Sequence, residues 1–94
     1  MTRYQYDNAI NKLHTVIDKT GCACIKATFA SINFDRFQDQ SDLRMNVDYE
    51  ISGWGGDIIV FALILNREDI DTHEYAGYVI SEIQYYGAKK IDII

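Results

Sequence analysis

Few residues in this chain can do chemistry, and their spacing limits what that chemistry is. SGWGGD, residues 52–57, is the glycine-rich stretch. A phosphate-binding loop needs a GxxxxGK[ST] spacing, with a lysine to reach the phosphates and a following helix whose N-terminus faces them. SGWGGD has no lysine, and DIIVFALIL after it reads as strand, so Gly53, Gly55 and Gly56 are expected to turn a β-hairpin instead. Cys22 and Cys24 stand two apart in a β-rich run. Their Cβ atoms point the same way, a poor geometry for a mutual disulfide. His14 and His73 are the only histidines and neither has zinc-finger spacing, so neither a metal nor a cofactor is expected. Asp57, His73 and Glu74 form one candidate acid–base group, set against the plainer reading of His73 as a first-turn helix residue. There is no Ser/His/Asp or Cys/His order and no HExxH, and an enzyme is not expected.

The carboxylates say more. Between Asp35 and Glu82 lie eleven acids against three bases, while the rest of the chain holds six bases and three acids. Direct binding to DNA or RNA calls for a basic stripe and is not expected from this layout. Opposed charge does steer an acidic chain onto a basic protein surface. The candidate acidic face is Asp42, Asp48, Glu50, Glu68, Asp69, Asp71 and Glu74. Alternate strand residues lie about 6.5–7 Å apart, close to the phosphate repeat of a nucleic-acid strand, so Asp42, Asp48 and Glu50 have the spacing of a backbone mimic.

These groups need elements to hold them. A chain of 94 residues with 48% hydrophobic and 24% charged content is one domain with a single core, residues 1–94. From Thr2 to Thr20, Tyr6, Ala9, Ile10, Leu13, Val16 and Ile17 recur at helical spacing; Thr2 with Gln5 fits a capping box and Gly21 the stop. Cys22–Phe34 reads as strand and 35–41 as a polar loop. Leu43, Met45, Val47, Tyr49 and Ile51 alternate with polar residues, a half-wet strand. Asp71 with Glu74 is a second capping box, opening a helix whose buried stripe is Ala76, Val79, Ile80, Ile83 and Tyr86 and whose stop is Gly87. Lys89–Ile94 reads as a short last strand. The expected fold is α+β in the order α-β-β-β-α-β: an antiparallel three-stranded meander, a C-terminal strand parallel to the third or first, and helices mainly on one face.

Two surfaces do not fit a plain monomer. If Ile51 pairs with Ile58, then Tyr49 opposes Val60, Val47 opposes Ala62, and all of these face the helices. Ile59, Phe61, Leu63 and Leu65 then form an apolar ridge on the other face, a candidate homodimer surface unless another part of the chain crosses it. On the second helix, Tyr75, Tyr78, Glu82 and Tyr85 make a stripe away from the buried one; tyrosine is a favoured interface anchor. A membrane-surface helix would need Lys/Arg where Glu74 and Glu82 stand. The longest apolar run, Ile58–Leu65, is far short of the roughly 18 residues of a spanning helix, and Arg3, Asp7 and Asn8 spoil a signal peptide, so a cytoplasmic protein is expected.

In size and charge the chain resembles phage anti-defence proteins, including anti-restriction and anti-CRISPR proteins, and toxin-neutralising immunity proteins. The resemblance implies an inhibitory protein that docks carboxylates and tyrosines on a basic surface of a partner, a nucleic-acid-handling enzyme. The alternative is a homo-oligomeric assembly module built on the apolar sheet face.

Overall fold

The structure, a computed structural model, describes residues 3–41, 49–54 and 56–94, with the backbone alone for 49–54. Helix α1 is Arg3–Thr20, and Ala9, Leu13 and Ile17 are its buried residues, so the expected stripe is the one that enters the core. Gly21 ends it at φ +79°, a left-handed conformation that L side chains resist, and its N–H donates to the Ile17 carbonyl at 2.9 Å. Thr2 of the expected capping box lies outside the described residues.

Strand β1 is Cys22–Ala30, with Ala23, Ile25, Ala27 and Phe29 buried in alternation. The expected strand to Phe34 and polar loop after it are corrected here: Ser31–Gln40 is a helix, α2. Its basis is the i, i+3 pair Phe34 and Phe37, both buried, whose rings meet Phe29 at centroid distances of 6.4 and 5.1 Å. The helix starts without a cap signal, because its N-cap is Ala30 and makes no side-chain hydrogen bond.

Strands β2 (Tyr49–Trp54) and β3 (Asp57–Leu65) make the expected hairpin, with a tighter turn. Trp54 pairs with Asp57, and Gly56 takes φ +84°. Ile51 therefore faces Val60 rather than Ile58, and Tyr49 faces Ala62 rather than Val60. A shift of two residues changes the partners but not the side, and Ile58, Val60 and Ala62 of β3 face the helices as expected. Residues 42–48, including the expected Val47 pairing, lie outside the described residues. Helix α3 is Thr72–Tyr85 and strand β4 is Lys90–Ile93.

The sheet order is β2-β3-β1-β4, antiparallel throughout. The expected meander is thus corrected: β1 pairs with β3 from Cys22 to Ala30, and β4 pairs antiparallel with β1. The helix α2 is the reason, since a crossover through it carries the chain past the place that β3 then fills. Strands β1 and β2 run alike with β3 between them, and β3 and β4 run alike with β1 between them. These are two interleaved split β-α-β units, the topology of ferredoxin-like folds, with α1 added in front.

All three helices send residues into one core with the inner rows of β1 and β3: Leu13 and Ile17, Phe34 and Phe37, Val79 and Ile83. The fold is α+β with its helices on one face of the sheet, as the sequence implied. On the opposite face Ile59 and Phe61 are half-buried, Leu63 is 44% exposed and Leu65 is 55% exposed. Among the described residues no helix is long and apolar enough to cross a membrane.

Candidate partner-binding site

The turn from β3 into α3 is where the structure gathers candidate residues. Asp71 caps α3, accepting a hydrogen bond from the Glu74 N–H at 3.1 Å, as the capping-box spacing predicts. Buried Thr72 holds the preceding turn: its hydroxyl accepts from the Arg67 N–H at 3.1 Å and donates to Asn66 Oδ1 at 3.1 Å. Asn66 is in turn tied by its N–H to the Gly21 carbonyl at 2.8 Å. The acidic turn is thereby anchored to the junction of α1 and β1. Thr72 and Asn66 went unnoticed in the sequence, and only the Thr beside a helix cap hinted at such a network.

Asp71 and Glu74 then line one shallow depression with Ile70, Tyr75 and Tyr78. Tyr75 is half-buried against the core, and Tyr78 is 42% exposed. Burial raises the Tyr75 phenol above its ordinary pKa, with the Arg67 charge pulling weakly the other way. Carboxylate, ring and exposed Ile70 stand side by side here. The helix N-terminus carries roughly half a positive charge, which two carboxylates outweigh.

The remaining candidates are dispersed. Glu68 is exposed at the turn. Asp69 is engaged within its own loop, where Arg67 donates to both carboxylate oxygens at 3.0 and 2.6 Å. Those hydrogen bonds hold the Asp69 carboxyl below its ordinary pKa. Glu82 is half-buried and Tyr85 is 71% exposed, its ring edge-on to Tyr86 at 5.0 Å. The tyrosine stripe therefore splits: Tyr75 and Tyr78 join the depression, while Tyr85 sits near the other end of α3, about 10 Å along the axis from Tyr78. Asp42 and Asp48 lie outside the described residues, as does the side chain of Glu50, whose backbone pairs with Phe61.

The candidate acid–base group does not assemble. Asp57 accepts from Lys89 Nζ at 2.8 Å, and His73 instead meets Asp18 of α1, with Nε2 to Oδ1 at 2.6 Å. His14 stacks on His73 with centroids 4.2 Å apart and planes 7° from parallel, and its Nε2 lies 3.2 Å from the His73 carbonyl. Both contacts are to acceptors, so both rings carry a proton on Nε2. The pair clasps α1 to α3. Among the described residues no group of three His, Cys, Asp or Glu side chains is placed to hold a metal. Cys22 and Cys24 are free thiols on the sheet face away from the helices.

No protein-family profile matches the chain, and neither a curated protein nor a solved structure shows significant similarity to it.

Proposed function

We propose that this is a small acidic binding protein that inhibits by docking on a basic surface of a protein partner, and that it works by binding, without catalysis. The partner class that suits it is a nucleic-acid-handling enzyme, as for phage anti-defence proteins of the anti-restriction and anti-CRISPR kind, in the cytoplasm of the host. The observation that carries this reading is the convergence of Asp71, Glu74, Tyr75 and Tyr78 with Ile70 in one depression. An arginine side chain is the natural complement. Its guanidinium pairs with a carboxylate and stacks on a phenol ring, while its methylenes cover an apolar neighbour. The loop network through Thr72 and Asn66 holds the carboxylates in place before binding, which lowers the ordering cost of association.

The test is capture from a nuclease-treated bacterial lysate on the immobilised protein, in parallel with a Glu74→Gln/Tyr78→Ala variant. The expected result is a basic, nucleic-acid-handling protein that the wild type retains at low salt, releases as salt rises, and that the variant fails to hold. Retention that ignores both salt and the two substitutions would remove the reading.

A further inference from the structure

We propose that the free edge of β4, with the groove between it and α1, binds an extended, carboxylate-bearing segment of a partner protein as an added antiparallel strand. The proposal does not depend on the acidic site on α3. β4 is an end strand, since the sheet order is β2-β3-β1-β4. Cys24 of β1 and Ile94 exchange both backbone hydrogen bonds, at 3.3 and 2.9 Å. In an antiparallel ladder such pairs alternate with pairs that do not bond, so Ile93, opposite Ile25, and Ile91, opposite Ala27, turn their N–H and C=O groups away from β1. Among the described residues nothing bonds to these four groups. Ile93 is nevertheless 5% exposed, and buried backbone groups rarely go without partners.

Backbone geometry and charge select the occupant. An extended chain carries matching N–H and C=O groups at the 6.5–7 Å repeat of alternate strand residues, about the spacing from Ile91 to Ile93, and sheet edges capture peptides in this way. The groove runs from Gln5 and Lys89 at one end to Lys12 and Ile93 at the other, with Asn8 and Ala9 between. Ile93 is in the core and Ile91 packs against it, so peptide residues opposite them also point to the α1 side. Lys90 and Asp92 alternate to the other face, 3.6 Å apart, and Lys89 Nζ holds Asp57 at 2.8 Å. Exposed Lys12 makes no ion pair among the described residues. The groove therefore asks for a carboxylate opposite Ile93 and an apolar side chain opposite Ile91. A second copy fits worse, because pairing Ile91 with Ile93 of a twin sets Asp92 directly against Asp92.

The probe is the labelled heptapeptide Thr-Glu-Thr-Val-Thr-Val-Thr, followed by fluorescence anisotropy and by amide NMR of the full chain. It should bind saturably below millimolar concentration, move the Ile91 and Ile93 amide signals most and slow their hydrogen exchange. N-methylation of the peptide's Glu and Val amides should weaken binding about tenfold or more, and N-methylation of its Thr amides, which face solvent, only slightly. Lys12→Gln should weaken the Glu peptide severalfold and leave its Gln counterpart unchanged. No binding at millimolar concentration would overturn the proposal, as would binding that survives methylation of the Glu and Val amides, that loses equally with either peptide in Lys12→Gln, or that moves Leu63 and Leu65 in place of Ile91 and Ile93. Protection of Ile91 and Ile93 that rises with protein concentration alone would give the edge to a second copy and overturn it too.

Discussion

The two faces of β3 differ less in sequence than in what lies over them. Val60, Ala62 and Ile64 are 1, 3 and 1% exposed beneath the helices, while Leu63 and Leu65, from the same apolar run, remain largely open. The depression on α3 differs from both: it sets the exposed carboxylates of Asp71 and Glu74 beside a partly exposed phenol, Tyr78, and a half-buried one, Tyr75. Topology explains the first contrast. Both split β-α-β crossovers and α1 fall on one side of the sheet, so one row of β3 becomes core, and the other is left to the solvent or to a second chain. Capping chemistry explains the second, because the acids that start α3 must stand at its solvated end.

The largest expected effect separates neighbours on one strand. Ile64→Ala should lower stability by about 2–5 kcal/mol through the cavity it leaves. Leu65→Ala should stay within about 0.5 kcal/mol of wild type. Urea unfolding at dilute, monomeric concentration measures both. Equal losses would mean that the outer row is packed within the monomer, and the contrast between faces would fail.

A smaller effect separates Asp71 as a cap from Asp71 as a docking group. Asp71→Ala removes the acceptor for the Glu74 N–H and should cost about 1 kcal/mol, whereas Asp71→Asn keeps the cap and should change stability by only a few tenths of a kcal/mol. Both should slow association with a basic partner. If Asp71→Asn bound as fast as wild type, the residue would be a cap alone.

The smallest effect concerns Asp69. Its folded pKa lies below the unfolded value because of the Arg67 hydrogen bonds, so its contribution is present above the ordinary carboxylate range and is lost as pH falls through the folded midpoint. A carboxyl-carbon NMR titration should place Asp69 below the ordinary aspartate range, and Arg67→Gln should raise it. A midpoint unmoved by Arg67→Gln would remove the ion pair from the account.

What the sequence made legible follows from range. Helices α1 and α3 showed in their stripes because i, i+3 and i+4 contacts are local, and the hairpin showed because glycines and β-favouring runs are neighbours. Helix α2 did not show: it lacks a capping residue at Ala30, and Ile32, 72% exposed, blurs its apolar face. Strand order was hidden because nothing local brings Phe29 to Ile58 or Ala27 to Ile91. At the site, the Asp71–Glu74 cap was readable from its spacing. The Asn66–Gly21 tie and the stacking of His14 on His73 were not, since each joins residues far apart in the chain.

The central claim, that carboxylates on the α3 side steer this protein onto a cationic partner, is tested most directly by association kinetics of a Glu68→Gln/Glu74→Gln variant against the captured partner at low and physiological salt. Neither substitution touches the Asp71 cap, the Arg67–Asp69 pair or the core, so the fold is kept and two charges are removed. The account predicts an on-rate severalfold slower than wild type at low salt, a difference that shrinks as salt rises, and a nearly unchanged off-rate. An on-rate equal to wild type at low salt would contradict it.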